Sequence, residues 1–297
     1  MCVRATQSIR NDRSPVSGTN LPQETTIVIG ANGRIGRMLS RLWTGRDHVR
    51  FVSRSGPLRW DIADGPDVLV PHLGGADCVL CLAGATPYDG ADLALNTRIA
   101  QAVITAATGT ARQVFLASSA AVYGHGSGPF RESDQPKPAS AYGQSKLDME
   151  HNASALGQDL GVKVTSLRIG NMIGADMLSR NVANKQHIVL DRFPDGTTPR
   201  RSCLDPSVLG AILDALMKSE RRDELPEVLN LASVPVLDMA ELLRAARIPF
   251  DMRPAPEGAR SEVALDMSLL QTLVPAGVLN ASAEQAVDAW RRYGGLQ

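Results

Sequence analysis

The sequence predicts an α/β fold in which helices cover both faces of a doubly wound parallel sheet, with a small, partly interleaved C-terminal lobe. Over the first 170 residues, short and fully apolar segments alternate with longer segments of helical periodicity. Strands buried on both faces have this continuous apolar character, and consecutive parallel strands need a helix to connect them. After residue 171 the pattern becomes irregular, and prolines separate shorter elements.

The predicted strands are the five apolar segments at residues 26–29, 49–52, 78–82, 114–117 and 164–169. Helical spacing of apolar residues predicts connecting helices at 35–43, 92–108 and 141–156. In the irregular C-terminal part, three further helices are predicted at 207–218, 237–247 and 283–293. Ligands of such sheets bind at the carboxyl ends of the strands, so we expect a site in the loops there.

The composition argues against two kinds of partner. Lys and Arg number 31 and so do Asp and Glu, and this zero net charge argues against nucleic-acid binding. No apolar run approaches the roughly 18 residues that cross a membrane. The four cysteines are too few for a disulfide framework, which predicts a cytoplasmic chain. Cys78 and Cys81 lie three apart on one predicted strand and face opposite ways, so no metal site is predicted.

A glycine-rich loop joins the first predicted strand to the first predicted helix. Gly30, Gly33 and Gly36 follow each other at intervals of three residues, directly before the helix N-terminus. Small residues let the backbone approach a pyrophosphate, and the free N–H groups of the helix then bind it. This combination predicts a dinucleotide-binding Rossmann domain. The loop residues assigned to the cofactor are Gly30, Asn32, Gly33, Arg34, Ile35 and Gly36.

This assignment divides the chain into three regions. Residues 1–25 are polar and lack apolar periodicity, so they are predicted to form a disordered tail. Residues 26–170 are predicted to be the Rossmann domain, to which residues 203–232 contribute. Residues 171–202 and 233–297 are predicted to form the substrate-binding lobe.

The end of the second predicted strand favours NADP over NAD as the cofactor. NAD-binding chains usually place Asp or Glu at this point, whereas this chain has Arg54 and no acidic residue. The Arg54 guanidinium can pair with a 2′-phosphate, and Arg34 can assist it. The alternative is a solvated arginine in an arginine-rich chain.

Ser119, Tyr142 and Lys146 form a candidate catalytic group. Tyr142 and Lys146 lie four apart on one face of a predicted helix, and Ser119 follows the fourth predicted strand. A free phenol has a pKa of about 10, and a nearby ammonium lowers it. Tyr142 can then exchange a proton with a carbinol oxygen that Ser119 holds, while hydride moves to or from the cofactor. The alternative is an exposed helix with a surface tyrosine.

Several segments occur in the order and approximate spacing of one known family. They are Gly30/Gly33/Gly36, Asp61-Ile62, Leu82-Ala83-Gly84, Asn96, residues 118–124 (SSAAVYG), Tyr142/Lys146 and residues 167–171 (LRIGN). Over residues 26–232 the chain resembles the extended short-chain dehydrogenase/reductases, the NAD-dependent epimerase/dehydratase family. The resemblance implies an NAD(P)-dependent enzyme, and a homodimer formed through the helices predicted at 92–108 and 141–156.

The resemblance also implies roles for individual residues. Asp61 and Ile62 would contact the adenine, and Lys146 would also bind the nicotinamide ribose. Asn96 would support the active-site helix and a water chain. A capping aspartate and an ordinary helix-face asparagine are the alternatives for Asp61 and Asn96. The other residues assigned in this way are Leu82, Ala83, Gly84, Tyr142 and Ile169 for the cofactor, and Ser119, Asn171 and Arg200 for the substrate.

One departure from the family pattern narrows the function. Members that dehydrate sugars carry an Asp-Glu pair after the serine position, where this chain has Ala120 and Ala121. The sequence therefore favours an oxidoreductase that transfers hydride to or from a carbonyl or hydroxyl carbon of a sugar, a sugar nucleotide or a similar small molecule. A nucleotide-sugar epimerase with tightly bound NAD is the first alternative, and the predicted preference for NADP counts against it. A catalytically silent dinucleotide-sensing protein is the second alternative.

Overall fold

The computed structural model describes residues 24–88, 90–126, 128–218 and 223–296. Its strands are β1 (Thr26–Ile29), β2 (Val49–Val52), β3 (Cys78–Cys81), β4 (Gln113–Ser119), β5 (Lys163–Ile169), β6 (Asn171–Met172), β7 (Val189–Arg192), β8 (Arg200–Arg201), β9 (Cys203–Leu204), β10 (Val228–Leu231), β11 (Leu237–Asp238), β12 (Asp251–Pro254) and β13 (Glu262–Val263). Its α-helices are α1 (Arg34–Leu42), α2 (Val70–Leu73), α3 (Leu95–Ala107), α4 (Ala141–Leu160), α5 (Met177–Ala183), α6 (Pro206–Leu216), α7 (Met239–Ala246), α8 (Ser268–Leu273) and α9 (Ala283–Ala289).

The main sheet has six strands in the order β10-β5-β4-β3-β1-β2, and all of its neighbouring strands are parallel. The order reverses at β1, which has β2 on one side and β3 on the other. Ile29 lies opposite both Val52 and Cys81, so these three strands end level and their following loops share one edge. β10 returns from the C-terminal part of the chain to pair with β5. The predicted doubly wound α/β fold is confirmed.

Helices cover both faces of this sheet, and each face has its own apolar core. α3 and α4 pack together over one core, whereas α1 and α6 pack together over the other. Alternate residues of β3 point into different cores, with Cys78 and Leu80 in one and Val79 and Cys81 in the other. This confirms the prediction that the two thiols face opposite ways.

Two elements that carry site residues, β4 and α4, are each several residues longer than predicted. β4 continues to Ser119, because its backbone keeps pairing with β5 as far as Ser119 opposite Ile169. α4 continues to Leu160, where Gly161 ends it in a left-handed conformation with φ 66°. Ser140 begins α4, since its side chain accepts a hydrogen bond from the Gly143 nitrogen at 3.1 Å.

The C-terminal lobe consists of short elements around a third apolar core. β8 pairs with β11 and β13, β7 pairs with β12, and β6 pairs with β9. α7 and α9 pack together, and Trp290 is buried in the same core. The helix predicted at 283–293 ends at Ala289 and continues as a π-helical turn, Trp290–Gly294, that packs against α1. The lobe therefore contacts the helix that follows the glycine loop.

Most of the predicted tail, residues 1–23, lies outside the described residues. Within the described ranges, no helix is long and apolar enough to cross a membrane. The same ranges contain no group of three or more His, Cys, Asp or Glu side chains that could hold a metal ion.

Candidate active site

The glycine-rich segment at residues 30–36, which joins β1 to the first turn of α1, is packed so closely that two of its glycines leave no room for a side chain. A Cβ on Gly30, which has φ +95°, would lie 2.6 Å from the Ala83 nitrogen. A Cβ on Gly36 would lie 2.3 Å from the Gly30 carbonyl oxygen. Gly33 is the N-cap of α1, and a Cβ there would lie 3.1 Å from the same oxygen. The loop therefore has the close backbone packing and the helix N-terminus that pyrophosphate binding requires.

Side chains of this loop connect it to neighbouring segments. The Asn32 amide donates to the backbone oxygen and the hydroxyl oxygen of Ser55, each at 2.9 Å. The Arg34 guanidinium donates to the Ala175 carbonyl oxygen at 2.7 Å. Ile35 packs against the core on the α1 face of the sheet. The loop is thus held from the end of β2 and from the segment that leads into the lobe.

Asp61 is a capping residue in this structure. Its carboxylate accepts a hydrogen bond from the Ala63 nitrogen at 3.0 Å, and the Asp64 carboxylate accepts one from the Asp61 nitrogen at 2.9 Å. This reciprocal pair begins a single helical turn at Ile62. The capping alternative is therefore present in the fold, and contact of Asp61 and Ile62 with the adenine stays a prediction.

Asn96 connects the segment after β3 to α4. Its Oδ1 accepts from the Ala85 nitrogen at 2.9 Å, and its Nδ2 donates to the Ser145 Oγ at 3.1 Å. A Cβ on Gly84 would lie 2.6 Å from that Oδ1 and 3.2 Å from the Lys146 Nζ, so the glycine makes room for both. Asn96 therefore contacts the helix that it is expected to support. The other residues assigned to the cofactor directly follow β3 or end β5: Leu82, Ala83, Gly84 and Ile169.

Ser119, Tyr142 and Lys146 come together at the carboxyl edge of the sheet. The Ser119 hydroxyl lies close enough to the Tyr142 hydroxyl to lower its pKa. The Lys146 ammonium donates to the Ala117 carbonyl oxygen at 2.8 Å and lies 6.0 Å from the centroid of the Tyr142 ring. The Ser119 Oγ also accepts a hydrogen bond from the Ala121 nitrogen at 3.2 Å. We call these three residues the trio.

Burial controls the ionisation of the two titratable members of the trio. It lowers the pKa of Lys146 to about 8, although the nearby Cys81 and Glu150 side chains oppose this shift. Burial raises the pKa of Tyr142, the nearby Ser119 hydroxyl opposes that rise, and the nearby Tyr88 adds to it. At neutral pH the phenol is therefore protonated and the amine is charged. Additional positive charge in the site would favour the phenolate.

The substrate residues implied by the resemblance lie on the lobe side of the sheet edge. Asn171 lies near the half-buried Asp176 side chain, which is the N-cap of α5, and lowers the pKa of that carboxyl against the larger rise caused by burial. Arg200 forms an ion pair with Glu262 at 2.9 Å, and its side chain is 45% exposed. Contact of Asn171 and Arg200 with the substrate stays a prediction.

The structure also brings together two arginines that the sequence analysis does not identify, Arg201 and Arg260. The Arg260 guanidinium donates at 2.7 Å to the carbonyl oxygen of Gly124, just after the turn that follows Ser119. Burial and the charge of Arg260 both lower the pKa of Arg201. An anion beside two such cations would relieve their repulsion. Successive residues of a strand face opposite sides, so the sequence could have distinguished the side chain of Arg201 from that of Arg200. No local signal in the sequence points to Arg260.

Comparison with known proteins identifies the family. A profile of the NAD dependent epimerase/dehydratase family matches residues 26–199, which is more than half of the chain. The chain belongs to that family. A search of curated proteins gives no significant match.

Three solved structures of similar fold illustrate the family. UDP-glucose 4-epimerase from Brucella ovis, in complex with NAD, has 19% identity and a TM-score of 0.75, over 93% of this chain and 99% of that one. MoeE5, in complex with UDP-glucose and NAD, has 22% identity and a TM-score of 0.69, over 90% and 99%. UDP-glucuronic acid 4-epimerase from Bacillus cereus, in complex with UDP-glucuronic acid and NAD, has 18% identity and a TM-score of 0.71, over 92% and 99%. At these identities the similarity shows the fold.

The expected preference for NADP is wrong, because the three structurally similar proteins are bound to NAD. The placement of the two arginines is compatible with NAD. Arg54 is exposed beyond the end of β2, as in the solvated alternative. Arg34 is already engaged by the Ala175 carbonyl oxygen. The expected preference for NADP was an argument against an epimerase, and that argument no longer holds.

Proposed function

We propose that the protein is an NAD-dependent enzyme that oxidises and reduces a hydroxyl carbon of a nucleotide sugar, with Tyr142 as the acid/base. The observation that carries the proposal is the arrangement of the trio: Ser119 is close enough to Tyr142 to lower the pKa of its hydroxyl, and the Lys146 ammonium lies 6.0 Å from the Tyr142 ring centroid. The nucleotide-sugar complexes of MoeE5 and of the Bacillus cereus enzyme support this class of substrate.

The residues at the sheet edge fit a dinucleotide. The glycine loop offers backbone and a helix N-terminus to the pyrophosphate, and Gly84 leaves space beside Lys146 and Asn96. We place the cofactor along this edge, with Lys146 at the nicotinamide ribose. When bound, NAD supplies the hydride acceptor and a positive charge that favours the Tyr142 phenolate.

Each member of the trio has a separate role in the proposed reaction. Ser119 Oγ, which lies near the Tyr142 hydroxyl, holds the substrate oxygen. The Tyr142 phenolate takes the proton from that oxygen and later returns it. The Lys146 ammonium, which is charged below a pH of about 8, stabilises the phenolate.

Epimerisation is the reaction that we favour within this proposal. Dehydration needs an acid and a base near the trio, but the turn after Ser119 consists of Ala120, Ala121, Val122 and Tyr123. An epimerase reduces the oxidised sugar again on its opposite face, so it needs only the trio and the cofactor. The proteins from Brucella ovis and Bacillus cereus are 4-epimerases. A dinucleotide sensor without turnover is the remaining alternative, and the intact trio counts against it.

The organisation predicted from the sequence is part of this proposal. Residues 26–170, with 203–232, would bind the dinucleotide, and residues 171–202 and 233–297 would bind the sugar. We also propose a homodimer formed through α3 and α4, and a cytoplasmic location. Light scattering after gel filtration tests the oligomeric state, and a monomer would contradict the proposed homodimer.

The reaction is tested by incubating the protein with NAD and, separately, with UDP-glucose, UDP-glucuronic acid and UDP-N-acetylglucosamine. Proton NMR of the anomeric region follows the sugar, and ultraviolet absorbance follows NADH. A new anomeric signal without net NADH identifies an epimerase. NADH formed in proportion to the sugar consumed identifies a dehydrogenase. The proposal fails if NAD binds and every sugar stays unchanged.

Gly33→Ala should weaken NAD binding by about tenfold or more, a loss of roughly 1.4 kcal/mol. The methyl group would lie 3.1 Å from the Gly30 oxygen, a tight contact that requires the backbone to shift by a few tenths of an ångström. The methyl group would also occupy the space at the N-terminus of α1 where the pyrophosphate binds. Calorimetric titration with NAD measures the effect. Gly74→Ala is the control, since its Cβ would lie 3.7 Å from the Pro71 oxygen. Unchanged affinity in Gly33→Ala would contradict the assignment.

Arg260→Met should raise the KM for the nucleotide sugar by about 10- to 100-fold, with a smaller effect on kcat. We place the diphosphate of the substrate beside Arg201 and Arg260, whose charges are close enough for one to lower the pKa of the other. Steady-state kinetics with the active sugar measure the change. Arg253→Met removes a more exposed arginine from β12 and is the control. An unchanged KM in Arg260→Met would place the diphosphate elsewhere.

A further inference from the structure

A buried ion pair lies next to the trio. Glu150 on α4 and Arg168 on β5 are joined at 2.8 Å, and their side chains are only 3% and 5% exposed. Arg168 donates to both carboxylate oxygens, from Nε at 3.1 and 3.2 Å and from Nη2 at 2.8 Å. Removing two charges from water is costly, and apolar replacements of such pairs are often at least as stable. Stability alone therefore does not explain why the protein buries this ion pair.

Glu150 connects the two elements that carry the trio. It lies four residues after Lys146, one turn further along the same face of α4. Ser118, which precedes Ser119 at the end of β4, donates its hydroxyl hydrogen to the Glu150 carboxylate. One carboxylate thus holds the helix of Tyr142 and Lys146 against the strand of Ser119.

Arg168 fixes the carboxylate from the other side. Its guanidinium donates to the Tyr123 hydroxyl at 3.0 Å and lies 4.9 Å from the centroid of the Tyr123 ring. The Tyr123 hydroxyl in turn donates to the Asn230 Oδ1 on β10 at 2.7 Å. Because Tyr123 ends the turn that begins after Ser119, the network holds this turn as well as the strand.

We infer that Glu150 is a positioning residue, which orients Ser119 through Ser118 and keeps the amine of Lys146 charged. The inference rests on the proposed function, in which Tyr142 needs a charged Lys146 beside it. Two observations support it independently of any substrate. They are the hydrogen bond from Ser118 and the placement of Glu150 one turn from Lys146.

Glu150 supplies the negative charge among the titratable groups that face Lys146. The others are the Cys81 thiol on β3 and the Tyr142 hydroxyl on α4. Burial raises the pKa of Cys81 to about 11 and also raises the pKa of Tyr142, so both are neutral near pH 7. Removing the charge of Glu150 should therefore lower the pKa of Lys146. Removing the positive charge of Arg168 should not lower it.

The Lys146 titration can be measured by NMR without a substrate. Protein grown with carbon-13 lysine has only five labelled residues, and Lys146→Met identifies the relevant signal. We expect the pKa of Lys146 to fall by about one pH unit in Glu150→Gln. It should not fall in Arg168→Met, although that variant breaks the same ion pair. Asp148→Asn, which neutralises an exposed acid on the same helix, should leave the titration unchanged.

Turnover separates a positioning role from general structural support. In Glu150→Gln the alkaline limb of kcat should move to lower pH together with the Lys146 titration. A purely structural role would lower kcat by the same factor at every pH. If Glu150→Gln does not fold, the double variant Glu150→Gln/Arg168→Met removes both charges together, and the pKa of Lys146 should still fall in it. An unchanged Lys146 titration in the variant that folds overturns the inference.

The two experiments distinguish failure of this inference from failure of the proposed function. If no UDP sugar is converted but the Lys146 titration shifts as expected, the proposed reaction is wrong and the effect of Glu150 on Lys146 stands. If sugars are converted and the titration does not shift, the reaction stands and Glu150 has no positioning role.

Discussion

Tyr142→Phe should lower turnover by about 10³-fold while NAD still binds. The substitution removes a single oxygen, the one that exchanges a proton with the substrate. Neither of the neighbouring polar side chains, Ser119 and Lys146, can replace the Tyr142 hydroxyl. Ser119 is an ordinary hydroxyl, and the Lys146 ammonium lies 6.0 Å from the ring centroid and is bound to the Ala117 carbonyl oxygen. Steady-state kcat, together with a calorimetric titration of NAD, measures both parts of the prediction.

A matched control is Tyr293→Phe, which removes the same oxygen from the C-terminal turn, where the Arg292 guanidinium lies 6.0 Å from the ring centroid. It should keep full activity. Full turnover in Tyr142→Phe would contradict the catalytic assignment.

Ser119→Ala should raise the pKa of Tyr142 further, because the nearby Ser119 hydroxyl opposes the effect of burial. The acid limb of sugar oxidation should then move to higher pH.

Lys146→Met should remove most turnover and yet raise the free energy of unfolding at pH 7 by about 2–3 kcal/mol. Burial lowers the pKa of this lysine from 10.5 to about 8, and each pH unit corresponds to about 1.4 kcal/mol against the charged amine. Methionine occupies a similar volume without a charge, and the variant loses the hydrogen bond to the Ala117 oxygen. A change that stabilises the fold and removes activity is typical of a residue kept for its chemistry.

The sign of this effect depends on pH. Between a pH of about 8 and 10.5 the unfolded chain binds the Lys146 proton and the folded protein does not, so the wild type gains stability as the pH rises. Below a pH of about 8 the folded protein carries the full free-energy cost of burying the charged Lys146 amine. The stability advantage of Lys146→Met should therefore be largest near pH 7 and shrink as the pH approaches 10. Urea denaturation of both proteins at each pH measures the difference, and a variant less stable than the wild type at pH 7 would contradict it.

The glycine loop and the trio were predictable because the sequence encodes each of them locally. Gly36 must be a glycine because a Cβ would lie 2.3 Å from a backbone oxygen, and its place after the first strand is visible in the sequence. Tyr142 and Lys146 need only helical spacing to share a face. Ser119 needs only its position at the end of a strand, although pairing with β5 places it on the strand itself rather than beyond it.

Interactions between distant segments were not predictable in the same way. Glu150 and Arg168 lie on different elements, and each alone resembles an ordinary surface charge until the fold buries both. Arg260 reaches the turn after Ser119 from a segment 136 residues away in the chain. Arg54 was misleading for a related reason: the residue type suggests a phosphate partner, but its exposure depends on the fold. Local chemistry can be inferred from spacing, whereas burial and partners require the tertiary structure.

The central claim is that Tyr142 moves a proton while NAD takes up hydride from a nucleotide sugar. The most direct test is rapid mixing of the NAD-loaded protein with UDP-glucose, UDP-glucuronic acid or UDP-N-acetylglucosamine, with NADH absorbance followed over a single turnover. The account predicts a rise of NADH absorbance in the wild type with at least one of these sugars, and its loss in Tyr142→Phe at equal NAD occupancy. No NADH in the wild type with any of the three sugars, or equal NADH in both proteins, would contradict it.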